Sequence, residues 1–426
     1  MQVKINPERK EWKQILQRPY ADNSAVLQSV QEILADVKER GDNAIRELTK
    51  RFTGVTLDSL RVSEEEINSA ASRLSEGLKA AIQQAKKNIE TFHQPQLGTT
   101  EIIETMQGVQ CWRKSVGIEK VGLYIPGGTA PLFSTVLMLA VPAKLAGCKE
   151  IILCSPCDKE GRLHPAILYA AQLTGITKIF RIGGAQAIAA MAYGTESIPA
   201  VYKIFGPGNQ YVTAAKQLVQ MQGIAIDMPA GPSEVCVMAD ETANAAFVAA
   251  DLLSQAEHGA DSQVLLVSND EKVIRDVQAE LEKQLALLPR KEMAQKALDN
   301  SKAIVVQNWD EGVELVNEYA AEHLIISCAD ADVLAERITN AGSVFIGNYS
   351  PESVGDYASG TNHTLPTNGF ARAYSGVSVD SYVKKITYQK LSAEGLQNIA
   401  ETVIQMAEAE GLEAHANAVK VRITGE

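Results

Sequence analysis

The sequence predicts an α/β protein built on two open parallel sheets, with a helical N-terminal segment and a small C-terminal tail. From Val121 onward, short apolar stretches alternate with amphipathic helical patterns, and the alternation starts again at Glu234. A β-α-β-α order of this kind is typical of a parallel sheet that helices cover on both faces. Two such units in one chain suggest an old duplication.

The first ~110 residues are predicted to be helical, because apolar residues recur there with a period of 3.6. One helix starts at Ser24 and stops at Gly41, and a second begins near Asp42. Ser63 followed by Glu66 fits a capping box that opens a third helix. Further helix is expected to about Phe92.

The two α/β units divide into predicted strands and helices. Strands of the first unit are expected at residues 122–125, 150–154, 178–182 and 201–205, with helices at 136–146, 166–173, 186–193 and from 209. Strands of the second unit are expected at 235–238, 264–267, 303–306, 324–327 and 344–346, with helices at 246–256, 273–287, 312–320 and 333–340.

The C-terminal part begins with a long polar loop at residues 347–369 and ends with a helix at 393–410. Its last ~50 residues are too few to hold a core alone. We therefore expect this tail to pack on the body of the protein or on a neighbouring subunit.

Composition excludes several classes of function. The 426 residues are 46% hydrophobic and 22% charged, with a formal net charge of −12. That charge argues against a nucleic-acid partner, because phosphate binding needs a basic surface. The N-terminus lacks the apolar core of a signal peptide, and the most apolar stretch, residues 136–145, is too short to span a bilayer. We expect a cytoplasmic protein with six reduced cysteines.

Cys154 and Cys157 match a C-x-x-C spacing, which occurs in redox and metal sites. No second pair of this spacing accompanies them, and they follow the apolar run Ile151–Leu153. We favour the alternative, a strand end that enters a turn.

Three glycine-rich turns follow predicted strands of the first unit, at residues 126–130, 183–186 and 206–209. Glycine allows close approach of the backbone, and a following helix N-terminus offers free N–H groups to an anion. The three turns fit a dinucleotide pocket in which Tyr124, Gln186 and Asn209 make contacts. None is a G-x-G-x-x-G motif, so ordinary tight turns between strand and helix remain an alternative.

Four of the six histidines lie in the second half of the chain, each close to a carboxylate or an amide. Histidine titrates near neutrality and is the commonest metal ligand, so this pattern indicates a metal site beside an acid/base site. The four groups are Gln255 with His258, Glu322 with His323, Asp356 with His363, and Glu410 with His415. For each one singly, a hydrogen-bonded or surface histidine is the alternative.

Several segments of the chain resemble histidinol dehydrogenase. They lie at residues 122–128, 226–234, 254–259, 322–324, 355–363 and 410–415, and the likeness extends from the N-terminal helices to the tail. The resemblance implies a zinc-dependent, NAD-linked enzyme that oxidises L-histidinol to L-histidine through an aldehyde. It also implies a homodimer in which the tail reaches the active site of the partner.

The resemblance implies a role for each candidate residue. Zinc would be held by Gln255, His258, Asp356 and His415. Glu322 and His323 would be the acid/base pair, with His323 close to its ordinary neutral pKa and Glu322 activating water. NAD would contact Tyr124, Gln186 and Asn209. The substrate would contact Ser233, Gln255, His258, His323, Asp356, His363, Glu410 and His415.

We predict four parts along the chain. Residues 1–20 form an N-terminal arm, and residues 21–120 with 234–371 form a first α/β domain that includes the helical segment. Residues 121–233 form the NAD-binding domain, and residues 372–426 form the tail. Both α/β domains are expected to be incomplete Rossmann-like sheets.

Three other functions remain to be weighed. A zinc hydrolase needs a metal, a glutamate and a histidine, but no dinucleotide pocket. An aldehyde dehydrogenase based on cysteine needs a reactive thiol. A binding or structural role leaves the adjacent Glu322 and His323 unexplained.

Overall fold

The computed structural model describes residues 1–18, 24–127, 131–229 and 231–425. Its N-terminal third contains β1 (Gln2–Ile5), α1 (Arg9–Ile15), α2 (Ser24–Arg40), α3 (Asp42–Thr53), α4 (Glu64–Ser69), α5 (Glu76–His93), β2 (Ile102–Met106) and β3 (Val109–Gly117). The predicted capping box is confirmed: the Ser63 hydroxyl accepts from the Glu66 N–H, and the Glu66 carboxylate accepts from the Ser63 N–H.

The first α/β unit forms a sheet in which all strands are parallel. It contains β4 (Lys120–Tyr124), α6 (Phe133–Leu145), β5 (Glu150–Cys154), α7 (Pro165–Leu173), β6 (Lys178–Phe180), α8 (Gly184–Tyr193), β7 (Lys203–Phe205), α9 (Gln210–Gln220) and β8 (Ala225–Ile226). The strand order is β6-β5-β4-β7-β8. Apolar side chains cover both faces, as a parallel sheet requires.

The second α/β unit forms a larger parallel sheet. It contains β9 (Glu234–Ala239), α10 (Ala245–Ala256), β10 (Gln263–Ser268), α11 (Glu271–Leu285), α12 (Lys291–Asp299), β11 (Lys302–Val305), α13 (Trp309–Tyr319), β12 (His323–Ser327), α14 (Ala331–Ala335), β13 (Ser343–Ile346) and α15 (Glu352–Tyr357). The strand order is β1-β11-β10-β9-β12-β13. The two-sheet α/β fold is therefore confirmed.

A small antiparallel sheet, which we did not predict, joins the tail to the middle of the chain. The tail contains β14 (Val383–Leu391), α16 (Ala393–Ala409) and α17 (Glu413–Thr424). The strand order is β14-β3-β2. The prediction of helix over the first ~110 residues is thus wrong from residue 102 onward, where β2 and β3 form a hairpin with its turn at Gln107 and Gly108.

The packing corrects two parts of the predicted division. We placed residues 21–120 with 234–371, but the apolar side chains of α2 and α3 pack in one core with the five-stranded sheet, and those of α4 and α5 join its other core. The N-terminal helices pack there because they contact the outer faces of the helices that cover the five-stranded sheet. Residues 1–18, placed in a separate arm, instead add β1 to the edge of the six-stranded sheet, and Trp12 lies in its core.

Two further features bear on the sequence predictions. The loop at 347–369 is not wholly irregular, since α15 lies inside it. Among the described residues, no helix is both long enough and apolar enough to cross a bilayer.

Candidate active site

A cleft of about 290 Å³ lies between the two parallel sheets. One wall is the turn at residues 206–209, which follows β7 at the carboxyl edge of the five-stranded sheet. The other wall includes Ser233, His258 and Glu322, at the amino edge of the six-stranded sheet, and His363 closes one side. The cleft therefore brings the glycine turn at 206–209 of one sheet to the histidine groups of the other.

Strand order explains the position of the cleft. In the five-stranded sheet the order reverses between β4 and β7, and in the six-stranded sheet it reverses between β9 and β12. Ligands of open α/β sheets bind at such switch points, usually at the carboxyl ends of the strands. In the six-stranded sheet the candidate residues lie at the amino ends instead, because His323 begins β12 and the end of α10 returns Gln255 to that edge.

Glu322 and His323 form a buried pair at the start of β12, with 7% and 3% of their surface exposed. The Glu322 Oε2 atom accepts from the Glu234 N–H at 2.9 Å and lies 3.7 Å from His323 Nδ1. The other ring nitrogen of His323, Nε2, lies 3.3 Å from Asp356 Oδ1. The imidazole is thus fixed from both ends, in the manner of an oriented acid/base group.

Carboxylates set the charge of this pair. Burial lowers the pKa of His323, but Glu322, Asp356 and Glu352 outweigh it and raise that pKa to about 10. Burial raises the pKa of Glu322 to about 8. The expected near-neutral pKa of His323 is therefore not found, because three acidic side chains converge on one ring.

Three of the four predicted zinc ligands lie in one neighbourhood. Gln255 is 1% exposed, and its Nε2 lies 3.0 Å from His323 Nδ1. Asp356 contacts the other side of the same ring. His258 lies one turn beyond Gln255. Burial lowers the pKa of His258 overall, and Asp356 lies close enough to oppose that shift.

The donor atoms fit a zinc ion. The Gln255 Oε1 atom is buried and has no hydrogen-bond partner among the described residues, so it is available to a cation. His323 holds the pKa of Asp356 below its usual value despite burial, which keeps the carboxylate ionised. Zinc takes such nitrogen and oxygen donors.

A complete metal group is not assembled within the described part of this one chain. Across residues 1–18, 24–127, 131–229 and 231–425, no three His, Cys, Asp or Glu side chains are grouped to hold a metal ion. The predicted zinc ligands agree with this result, because Gln255 is not one of these four residue types and His415 is exposed on α17.

The remaining substrate candidates fall into two groups. Ser233 lines the cleft, and so does His363, whose Nδ1 lies 2.9 Å from the Asp356 carbonyl oxygen and whose Nε2 lies 3.1 Å from the Thr135 hydroxyl. Glu410 and His415 are exposed on the tail, where α16 and α17 pack on each other and α16 packs on the antiparallel sheet. In a single chain these two residues stay outside the cleft.

The three predicted NAD contacts lie along the carboxyl edge of the five-stranded sheet. The Tyr124 hydroxyl accepts from the Gly184 N–H at 3.0 Å, which links the end of β4 to the turn that starts α8. Gln186 is buried in that helix, whereas Asn209 is exposed and caps α9 through its Oδ1. Of the first glycine turn, residues 128–130 lie outside the described residues.

Gly206 shows why this edge needs glycine. Its φ of +124° is unfavourable for other residues, and a Cβ atom would lie 2.0 Å from the Tyr124 carbonyl oxygen. This close approach brings the turns after β4 and β7 together at the switch point.

The C-x-x-C pair forms no disulfide. Cys154 ends β5, and all six cysteines are free.

Sequence reasoning missed two buried carboxylates. Glu352 is 1% exposed, and its Oε2 lies 4.0 Å from His323 Nδ1 while Oε1 accepts from the Ser254 hydroxyl at 2.6 Å. Glu234 contacts both members of the acid/base pair through its backbone. A signal existed only for Glu234, which directly follows Ser233 in one of the resembling segments.

The fold and the site define the class of protein: an α/β oxidoreductase with its acid/base pair in a cleft between two open sheets. The sequence profile of histidinol dehydrogenase matches residues 16–423. The chain belongs to the histidinol dehydrogenase family, which catalyses the final steps of histidine biosynthesis.

Individual relatives agree over nearly the whole chain. A histidinol dehydrogenase of Bacteroides thetaiotaomicron is 60% identical over 417 residues, covering 98% of this chain and 97% of that protein. One of Haemophilus influenzae is 53% identical over 414 residues, covering 97% and 96%. The crystal structure of histidinol dehydrogenase from Elizabethkingia anophelis matches with a TM-score of 0.98 and 55% identity, covering 100% of this chain and 98% of that one.

Proposed function

We propose that this chain oxidises L-histidinol to L-histidine through L-histidinal, with NAD as the electron acceptor and one zinc ion per subunit. The main support is the buried Glu322–His323 pair, which lies between the candidate zinc donors Gln255 and Asp356. A hydrolase would not need the candidate NAD contacts at the edge of the five-stranded sheet. An enzyme with a cysteine nucleophile would not need this glutamate–histidine pair.

Gln255, His258 and Asp356 would hold the zinc, and His415 of a second subunit would complete the set. When bound, the ion would act as a template that fixes the imidazole and amine of histidinol. The protein side of this arrangement is already oriented, since the Gln255 Nε2 donates to the Glu234 carbonyl oxygen at 3.3 Å and turns Oε1 away from it.

Tyr124, Gln186 and Asn209 would contact NAD at the β4–β7 switch point. When bound, the nicotinamide would accept hydride from the carbinol carbon. The chain itself shapes the carboxyl edge of the five-stranded sheet. Tyr124 accepts a hydrogen bond from the turn before α8, and Gly206 allows the neighbouring turn to lie against β4.

In its neutral form, His323 is the base for the substrate hydroxyl proton, although the carboxylates around it raise its pKa to about 10 and favour the charged ring. Its Nε2 faces Asp356, whereas Nδ1 faces Glu234 and Gln255 in the interior. We assign the proton to Nε2 because that nitrogen is directed toward the candidate metal ligands, where the carbinol would lie. The neighbouring carboxylates stabilise the imidazolium that results.

Glu322 activates the water that hydrates the aldehyde. One of its oxygens, Oε2, is occupied by the Glu234 N–H, and the side chain borders the cleft. The other oxygen, Oε1, is therefore the atom that takes the proton of the water when the carboxyl group is ionised. A buried carboxylate with a raised pKa is suited to hold that proton afterwards.

We also propose a cytoplasmic homodimer in which each tail completes the partner's cleft. This is supported by the exposure of Glu410 and His415, which have no hydrogen bond or ion pair with a cleft residue in the described part of one chain. Zinc would then need both subunits for its full set of donors.

The test is NADH formation from L-histidinol by the purified, zinc-loaded protein. Two NADH per histidinol consumed, with L-histidine as the product, are expected. Omitting histidinol and substituting His323→Ala serve as controls. Hydrolytic turnover without NAD, or a single NADH with accumulation of the aldehyde, would contradict the proposal.

A further inference from the structure

Glu234, the first residue of β9, contacts three candidate site residues at the amino edge of the six-stranded sheet. Its N–H donates to Glu322 Oε2 at 2.9 Å. Its carbonyl oxygen lies 3.2 Å from His323 Nδ1 and accepts from Gln255 Nε2 at 3.3 Å. One backbone unit thus holds both members of the acid/base pair and a candidate zinc ligand.

The Glu234 carboxylate is itself clamped. Arg18 donates to both of its oxygens, through Nε at 2.6 Å and through Nη2 at 2.8 Å. The Asn368 N–H donates to Oε1 at 2.8 Å. The two side chains of the ion pair are 16% and 2% exposed, so solvent has little access to it.

Arg18 is also fixed in place. Its Nη2 donates to the Tyr319 carbonyl oxygen at 2.8 Å, and its guanidinium lies 4.1 Å from the centre of the Tyr319 ring. A bidentate guanidinium–carboxylate pair has one preferred geometry, unlike a pair with a lysine. The N-terminal residues are therefore connected to the start of β9 by a rigid contact.

We propose that Arg18 and Glu234 are positioning residues that set the locations of the Glu322 and His323 side chains. The clamp holds the Glu234 side chain in one orientation, and the N–H and carbonyl groups on the same residue carry that orientation to the acid/base pair. This inference rests on the proposed function, because it takes the pair to be catalytic.

A purely structural role makes a different prediction. A buried ion pair is weak evidence for stability, since removing its charges from water costs about as much as their attraction returns. If the clamp served stability alone, its loss would lower the folded fraction and leave the kcat of the folded protein unchanged. If it positions the pair, the kcat of fully folded protein falls.

The variants are Glu234→Gln, which keeps the shape of the side chain, and Arg18→Lys, which keeps the charge but loses the bidentate contact. Arg9→Met is the matched control, because Arg9 ties the same N-terminal segment to Glu314 through an exposed pair. For each, kcat, the KM values for histidinol and NAD, zinc content and the thermal midpoint are measured.

We expect kcat to fall by roughly 10- to 100-fold in both clamp variants, because displacing a catalytic group by about 1 Å costs on the order of 100-fold. The KM for NAD should stay within about twofold of the parent, since the candidate NAD contacts lie on the other sheet. The kcat is expressed per bound zinc, because Glu234 also holds the candidate ligand Gln255. Arg9→Met should match the parent. A parental kcat in folded Arg18→Lys and Glu234→Gln would overturn the proposal.

A second readout does not depend on turnover. In protein labelled with ¹⁵N-histidine, the ring resonances of His323 are identified by their absence in His323→Ala. They should shift in the clamp variants and not in Arg9→Met. If these resonances respond while the parent fails to reduce NAD with histidinol, the positioning holds and the proposed function fails. If they stay unchanged in every variant, the positioning is refuted.

Discussion

The exposed position of His415 leads to a mixing experiment with two inactive variants. His323→Ala damages the cleft of its own chain, and His415→Ala damages the tail. In the proposed homodimer, each variant alone would give two sites that carry one defect each. Mixed dimers differ, provided that the tail of one subunit enters the cleft of the other.

The expected recovery follows from this geometry. In a mixed dimer, the intact cleft of the His415→Ala chain receives the intact tail of the His323→Ala chain, and the second site carries both defects. Random pairing of equal amounts makes about half of the dimers mixed, so about a quarter of all sites become active. If each tail served its own cleft, every site would keep one defect and activity would stay at the level of the separate variants.

The assay is the rate of NADH formation after the two variants are unfolded together and refolded. Different affinity tags on the two chains show whether mixed dimers have formed. A mixture of His323→Ala with Glu322→Gln is the control, because both changes lie in the cleft and cannot complement each other. Mixed dimers that are no more active than this control would refute the exchanged tail.

Other changes test the site and the fold separately. His323→Ala or Glu322→Gln should lower kcat by roughly 10²- to 10⁴-fold with zinc retained, measured by turnover and metal analysis; full activity would refute the acid/base assignment. Asp356→Ala should lose zinc on dialysis, and parental zinc content would contradict its role as a ligand. Lys216→Met leaves Asp227 buried without its ion-pair partner and should lower the free energy of unfolding by about 3–5 kcal/mol in urea titrations, whereas an unchanged midpoint would contradict this.

The alternating units could be predicted because their pattern is local. Strands buried on both faces appear as short apolar runs, and β5 begins and ends where we predicted. The capping residue Ser63 and the end of α10, two residues before His258, also lie where we predicted. These features depend on residues within a few positions of one another.

Features that depend on distant partners could not be predicted. The strand at 109–117 lies between its hairpin partner β2 and β14, which pairs with it from more than 260 residues away, and its own pattern is mostly polar. Glu352 is buried against His323 although its neighbours suggest a solvated loop. The raised pKa of His323 has the same origin, since two carboxylates of α15, Glu352 and Asp356, join the neighbouring Glu322 at one ring.

The strand β1 occupies the outer edge of the six-stranded sheet, where it pairs with β11 from Gln2 to Ile5. Removing these few residues would leave the backbone of β11 unpaired along an open side, and such edges recruit strands from other molecules. Shortened proteins that start after Ile5 are therefore expected to self-associate, which light scattering would detect against the full chain. Truncations at this end of the chain are thus expected to lower solubility, although residues 2–5 do not line the cleft.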